Sequence, residues 1–249
     1  MSKTPVESPV IFLAETDSTN NEAARHLHEA SHGTVWVAAF QHAGRGQQDN
    51  RWESEAGKNL LFSVLFRPVR FRAENQFLLS QAVSLGVCMY LRDEGLPALI
   101  KWPNDIYVGE KKIAGLLLEH HVCGEYISAT IAGVGLNVNQ QHFGQAPQAV
   151  SMRSVMKKEY HLRTVLEGVL AAIFRYYESK PGLRPAQYLN ALYRYRRWAW
   201  YQAGGNCFRA QIVAVKPAGD LLLEHEDGAV HSYLQKSIVF LPHDFIPEN

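Results

Sequence analysis

Two cations stand out in this chain by the residues around them. Arg45 lies between Gly44 and Gly46 in the run from Gln41 to Trp52, QHAGRGQQDNRW. Glycines let backbone approach a ligand closely, and an arginine held there offers a planar fork of donors to a carboxylate or phosphate. Trp52 and the apolar run Leu60 to Phe66 follow, so a polar loop stands beside an apolar wall. That combination suits a small molecule that is part apolar and part anionic; the plainer alternative is a surface hairpin with a solvated arginine. Lys101 sits between Ile100 and Trp102 in a run with buried character, where a lysine is costly without an anionic partner. Pro103 and Asn104 break that run, and Asp105 is either an ion-pair partner for Lys101 or a polar group of a site. Lys112 reads as a solvated residue on a hairpin flank. Ser18, Thr19 and Asn20 open a helix and either cap it or present hydroxyls and an amide to a polar ligand. Gly115, and Gly133 and Gly135 before Asn137, lie in apolar strands and point to close backbone approach; a bulged strand end is the alternative for the second pair.

The composition narrows the classes. The chain has 249 residues, 47% hydrophobic and 20% charged, with 25 Lys and Arg against 24 Asp and Glu. This is an ordinary globular composition, with no electrostatic footprint for nucleic acid or a membrane surface. Cys88, Cys123 and Cys207 are far apart and odd in number, matching neither a disulfide framework nor a metal-ligand spacing. The apolar run Val10 to Leu13 is too short for a signal-peptide core, and no run approaches a membrane span. A cytoplasmic location is the expectation.

The elements that must hold these residues follow from periodicity. Val10 to Ala14 reads as a strand, and Thr19 to Glu22 has capping-box spacing at the start of a helix continued by Ala23, Ala24, Leu27 and Ala30. Thr34 to Gln41 and Leu60 to Phe66 are strands, and Gln76 to Glu94 is a buried helix. Ala98 to Glu119 reads as strand, bend, strand, turn at Gly109-Glu110, strand; Tyr126 to Asn139 is a further strand, and Gln140 to Val150 is loop. Leu162 to Tyr177 is an amphipathic helix, and Pro185 to about Arg196 another. The mixed run Tyr193 to Tyr201, YRYRRWAWY, could stack on single-stranded nucleic acid, but in a neutral chain it reads better as a packing joint. From Cys207 short strands with tight turns form a small β module: Phe208 to Val215, Asp220 to Glu224, Ala229 to Tyr233 and Ser237 to Leu241. The expected division is residues 1–201 and 202–249, with the boundary at Gln202 to Gly205.

Taken together, Gly44-Arg45-Gly46 with Trp52, Ser54, Gly57 and Asn59-Leu60, then Lys101-Trp102-Pro103-Asn104-Asp105, Lys112-Ile113-Ala114-Gly115 and Gly133-Val134-Gly135-Leu136-Asn137 resemble the biotin–protein ligases over roughly residues 10 to 240. The resemblance implies an α/β (α+β) fold, with a catalytic domain like that of the class II aminoacyl-tRNA synthetases and a small C-terminal SH3-like β-barrel. It implies a monofunctional ligase without the N-terminal DNA-binding domain of some members. It implies activation of biotin with ATP to biotinyl-5'-AMP, Mg²⁺ held mainly through the ATP phosphates, and transfer to a lysine of a biotin carboxyl carrier domain of a carboxylase. Arg45 and Lys101 would carry the catalytic charge. The biotin-side positions would be Ser18, Thr19, Asn20, Gln41, Gly44, Arg45, Gly46, Gln47, Trp52, Lys101, Gly115 and Gly133. Arg45, Arg51, Trp52, Asn104, Lys112 and Asn137 would serve ATP. A sheet edge could pair with a second copy, as a homodimer, or with the acceptor domain.

The chain departs from that pattern in one place. Gln47, Gln48, Asp49 and Asn50 stand where the family loop often has arginines and other basic residues, and Glu55 replaces the usual proline after Ser54. The expectation is a loop that grips the adenylate through amides and backbone more than through charge. Two other functions compete: a lipoate or octanoate ligase of the same fold, and a non-catalytic protein that holds biotin or its adenylate.

Overall fold

A computed structural model describes residues 9–46, 51–144, 146 and 148–246. Gln47 and its neighbours through Asn50 lie outside the described residues. The elements in order are β1 (Val10–Thr16), α1 (Thr19–Arg25), β2 (Val35–Gln41), β3 (Leu60–Phe66), α2 (Phe77–Asp93), β4 (Ala98–Lys101), β5 (Asp105–Val108), β6 (Lys111–Cys123), β7 (Tyr126–Leu136), α3 (Met152–Met156), α4 (Leu162–Glu178), α5 (Arg184–Ala191), β8 (Ala199–Ala203), β9 (Asn206–Val215), β10 (Leu221–His225), β11 (Val230–Tyr233) and β12 (Val239–Phe240).

Among the described residues the strands make two sheets. The first runs β1-β2-β3-β7-β6-β5-β4, antiparallel except for β1 with β2. One face packs on α2, α4 and α5 through the main core, where Val83, Val87, Leu91, Val169, Ile173 and Tyr188 meet Phe62, Val64, Leu116 and Val134. The other face carries α1 over a small cluster of Ala23, Trp36, Leu65, Ala129 and Ile131. α1 covers only part of that face, and the cleft lies in the space it leaves. Burial on both faces explains why β3 reads as an unbroken apolar run (LLFSVLF).

The second sheet, β11-β10-β9-β8-β12, lies against the main core through Tyr201, Ala210, Ile212, Leu221, Leu223 and Ile238. Trp102 Nε1 donates to the Gly219 carbonyl at 2.9 Å and ties the two sheets together. The sequence reading misses β8, because YRYRRWAWY looks like a joint throughout. Ala199 and Tyr201 point into the core while the intervening Trp200 is half-exposed, the alternation of a half-buried strand. Gln202 to Gly205, where the boundary is expected, lead into the tight turn of the β8–β9 hairpin, with Gly204 and Gly205 at φ 57° and 83°.

Two further local expectations fail. α1 stops at Arg25, short of Leu27 and Ala30, and its capping box does not form. Glu22 is turned to Arg25, and the carboxylate of Asp17 collects the end of the helix instead, accepting from Ser18 N at 2.8 Å, Asn21 Nδ2 at 2.8 Å and Arg25 Nη2 at 2.6 Å. α5 ends at Ala191, several residues before Arg196. The apolar Leu192 and Tyr193 are there drawn onto Ile100, whose carbonyl accepts from Tyr193 N at 2.8 Å.

Candidate active site

The cleft has a volume of about 160 Å³ and is built where the N-terminus of α1, the end of β2, the following loop and the middle of β6 and β7 converge. Ser18, Thr19 and Asn20 at the start of α1 are all buried. Their side chains are spent on the site rather than on capping. Thr19 N donates to Gln41 Oε1 at 2.7 Å, and Ser63 Oγ lies 2.7 Å from both Thr19 Oγ1 and Asn20 Oδ1. Asn20 Nδ2 donates to Glu119 Oε2 at 2.6 Å and to the Leu117 carbonyl at 3.3 Å. This is a connected polar cluster on one wall, held from strands β2, β3 and β6.

The opposite wall is Trp52. A Cβ on Gly135 would stand 2.4 Å from Trp52 Cε2, and one on Gly115 would stand 2.8 Å from Trp52 Cζ3, so only glycine lets the indole lie on the sheet. At Gly133 the same atom would meet Asn20 Oδ1 at 2.1 Å. These glycines pair regularly, Gly133 with Ser63 and Gly135 with Gly115, so they mark close packing and not a bulged strand end. Trp52 N bonds the Gly44 carbonyl at 3.0 Å, and Arg45 pairs with Arg51 across the loop, which brings Gly46 and Arg51 to the cleft mouth.

Three cations line the cleft, Arg45, Arg51 and Lys112, and two of them are held by carboxylates. Arg45 is half-exposed and held by Glu119 (Nη2 to Oε1, 2.7 Å) and by Asn21 (Nη1 to Oδ1, 2.7 Å). Lys112 Nζ lies 2.8 Å from Asp105 Oδ1 and 5.7 Å from the centre of the Trp52 ring. This corrects the expectation of a solvated flank for Lys112, and a bulge supplies the reason. Ile106 pairs with Ala114 while Tyr107 pairs with Lys112, leaving Ile113 as the extra residue. In an unbroken strand Lys112 and Gly115 would face opposite ways; the bulge turns Lys112 onto the cleft face.

Lys101 is placed differently from its expectation. It is not among the cleft-lining residues. It stands on β4, separated from β6 by β5, with Nζ 3.4 Å from the Tyr107 hydroxyl, 4.7 Å from the Tyr107 ring centre and 5.5 Å from that of Phe240 in the second sheet. Burial pulls its pKa below the usual lysine value, against the pull of nearby Asp105. A direct Lys101–Asp105 ion pair does not form, because Asp105 is taken by Lys112.

Asn104 and Asn137 are not brought to the cleft either. Asn137 is buried with Nδ2 on the Val150 carbonyl at 3.1 Å, and its backbone braces Ile113 and Met152. Asn104 lines a separate cavity with His120 and Lys236. The sequence reading missed Asp17, Asn21, Ser63 and Glu119. For Glu119 a signal existed: it continues the alternation Gly115, Leu117, Glu119 along β6, which puts a carboxylate on the glycine-lined face.

The fold and cleft place the chain in the Biotin/lipoate A/B protein ligase family, whose model matches residues 12–137; the chain belongs to that family. It is 27% identical over 238 residues to the bifunctional ligase/repressor BirA of Bacillus spizizenii, covering 89% of this chain and 70% of the relative. It is 37% identical over 135 residues to the biotin–[acetyl-CoA-carboxylase] ligase of Paracoccus denitrificans, 51% of this chain and 53% of that one. Among solved structures it superposes on a biotin protein ligase from Aquifex aeolicus in complex with biotin and ATP, with a TM-score of 0.77, 27% identity and coverage of 93% and 97%. The architecture is accordingly a class II aminoacyl-tRNA synthetase-like catalytic domain followed by an SH3-like domain. No helix among the described residues is long and apolar enough to cross a membrane.

Proposed function

We propose that this chain is an ATP-dependent biotin–protein ligase, and that the cleft between Asn20 and Trp52 is its catalytic site. The observation that carries this reading is the joining, in one glycine-lined cleft, of a fixed polar cluster, an indole wall and two cations held by carboxylates, Arg45 and Lys112. A ureido ring needs donors and acceptors at set places, which Ser18, Thr19, Asn20 and Gln41 offer. Trp52, lying on Gly115 and Gly135, bounds an apolar slot for the rest of the biotin skeleton.

In the first step a biotin carboxylate oxygen attacks the α-phosphorus of ATP, the bond to the β-phosphate breaks, and pyrophosphate leaves. Anion approaches anion, so preorganised cations at the meeting point lower the barrier. Arg45 and Lys112 are those cations in this reading. Lys112 is oriented by Asp105, and Arg45 by Glu119 and Asn21. Mg²⁺ would enter on the ATP phosphates, with Asp105 the carboxylate in the cleft lining. In the second step the amine of an acceptor lysine attacks the acyl carbon, AMP leaves with the C–O electrons, and the amine proton passes to solvent. Lys101 acts in this scheme as a positioning residue that joins β4 to Tyr107 and Phe240. Gln47 to Asn50 complete the loop in sequence, Arg51 lines the cleft on the nucleotide side, Asn137 acts as a brace rather than an ATP contact, and Asn104 lines the separate cavity. The acceptor is a biotin carboxyl carrier domain, residues 202–249 assist its approach, and the reaction takes place in the cytoplasm. The exposed edge strand β1, with Ile11 and Phe12, is the surface for a homodimer.

The test is ATP–pyrophosphate exchange with biotin, lipoate and octanoate in parallel. Exchange with biotin alone is expected. Exchange with lipoate or octanoate instead moves the protein to the other branch of its family, and none with any acid, in a protein that binds biotin, favours a binding function.

A further inference from the structure

The indole of Trp52 lies on the sheet without a hydrogen bond of its own. Its Nε1 is buried and has no partner among the described residues, and a Cβ on Gly135 would stand 2.7 Å from it. Its main-chain N bonds the Gly44 carbonyl, on the part of the loop that comes before it. The ring therefore also depends on how the chain that follows it is tied down.

Two buried amides, Asn59 and Gln140, make that tie, and the catalytic scheme uses neither. Asn59 Nδ2 donates to Ser54 Oγ at 2.9 Å and to Gln140 Oε1 at 2.5 Å, and its Oδ1 accepts from Val138 N at 2.9 Å. Gln140 Oε1 accepts a second bond, from Glu55 N at 3.1 Å, while its Nε2 donates to the His142 carbonyl at 2.7 Å. Each amide uses both its oxygen and its nitrogen, which fixes the orientation of the pair. The bond from position 55 needs an N–H, which a proline would lack. The segment from which Gln140 reaches is itself firmly held. Met152 N bonds Asn137 O at 3.1 Å, Arg153 N bonds Val138 O at 2.8 Å, and Asn139 exchanges bonds with the Tyr160 main chain at 2.8 and 3.0 Å. Ser54 and Glu55, two and three positions after Trp52, are thus tied to a fixed anchor beyond the end of β7.

We propose that Asn59 and Gln140 are positioning residues: a buried amide clamp that holds the chain after the loop and so keeps the Trp52 indole on Gly115 and Gly135. Neither side chain lines the cleft, and both act on it through Trp52. The effect on biotin rests on the ligase reading; the effect on the ring does not.

The experiment measures exchange of the Trp52 Nε1–H with solvent by ¹H–¹⁵N NMR, in the full chain without ligand, the signal being assigned by its loss in Trp52→Phe. With no hydrogen bond, this proton is shielded only while the ring lies on the sheet, so its exchange reports how often the ring lifts. Trp36 Nε1, buried and unpartnered in the cluster under α1, is the internal control for general loosening of the fold. Gln140→Leu removes the shared acceptor and should speed exchange at Trp52 by about tenfold or more, with little change at Trp36. Glu55→Pro, at an exposed position, removes one bond of the clamp and should speed it by several-fold, more than Glu55→Ala, which keeps the N–H. That pair tests the clamp even if Gln140→Leu unfolds. Unchanged exchange at Trp52 in these variants, or an equal rise at Trp36, overturns the proposal. Where the ligase reading also holds, Gln140→Leu raises the KM for biotin by a few-fold with a smaller change in kcat, because lifting of the ring competes with binding. Faster exchange at Trp52 alone with an unchanged KM supports the clamp and counts against Trp52 as the biotin wall, so the two readings fail separately.

Discussion

Arg45 and Glu119 face each other in a two-point contact, Nη2 to Oε1 at 2.7 Å and Nη1 to Oε2 at 3.3 Å. They are 74 positions apart, one on a loop and one on a central strand. Glu119 also receives Asn20 at 2.6 Å, so one carboxylate fixes both the loop cation and the amide at the helix start. Glu119→Gln keeps the size but loses the charge. We expect it to raise the KM for biotin by about tenfold with a smaller loss in kcat, whereas Arg45→Ala should lower exchange by about 10²-fold. In the double variant the losses should not add, because the two groups act as one unit; strictly additive losses would show that the contact is incidental.

The two lysines make a sharper comparison. Lys112→Ala should lower biotin-dependent pyrophosphate exchange by about 10²- to 10³-fold in a normally folded protein. Lys101→Ala should cost less than about tenfold, since its Nζ lies against Tyr107 and Phe240 and not in the cleft. Exchange rates for the two variants, measured side by side, decide the assignment, and the opposite order would return the charge-stabilising role to Lys101.

Gly135→Ala tests the indole wall. The added methyl would stand 2.4 Å from Trp52 Cε2, so the ring must leave the sheet. Overpacking of this kind costs about 1–3 kcal/mol where the structure cannot yield. Because Trp52 sits on a loop, the ring can swing out, and biotin affinity should fall more than stability does. Calorimetric titration of biotin, beside thermal unfolding, separates the two; unchanged biotin affinity would remove Trp52 from the binding wall.

Asp17 supplies a pH signature. Its hydrogen bonds, that from Arg25 above all, hold its carboxyl well below the usual value of 3.8. A group depressed in the folded state stabilises the fold above its unfolded value and loses that contribution as pH falls below it. Asp17→Asn should therefore be less stable than the natural chain at pH 7. The gap should close as urea unfolding is repeated below pH 4. A gap that stayed constant with pH would assign the effect to packing.

Much of the fold was legible because it rests on short-range pattern. The unbroken apolar run of β3, the helical spacing of α4 and the turn at Gly109-Glu110 are set by residues within one element. The aromatic joint was legible only in part, since whether Ala199 to Ala203 pairs depends on β9 and β12, which come later in the chain.

What the sequence by itself determined is the set of groups: glycines where an indole and an amide approach the sheet, a loop arginine, two lysines near one aspartate, and hydroxyls at a helix start. Their types and order carry the family resemblance. What only the tertiary structure decided is which of them meet. Lys112 reaches the cleft because one extra residue at Ile113 reverses its face, and a bulge depends on the partner strand. Lys101 is kept out because it lies one strand further away, with the second sheet against it. Glu119 becomes the anchor of Arg45 through a contact between distant residues that no local preference encodes. Local pattern fixes direction and burial along an element. The choice of ion-pair partner is made by packing, when strands far apart in sequence come to lie side by side.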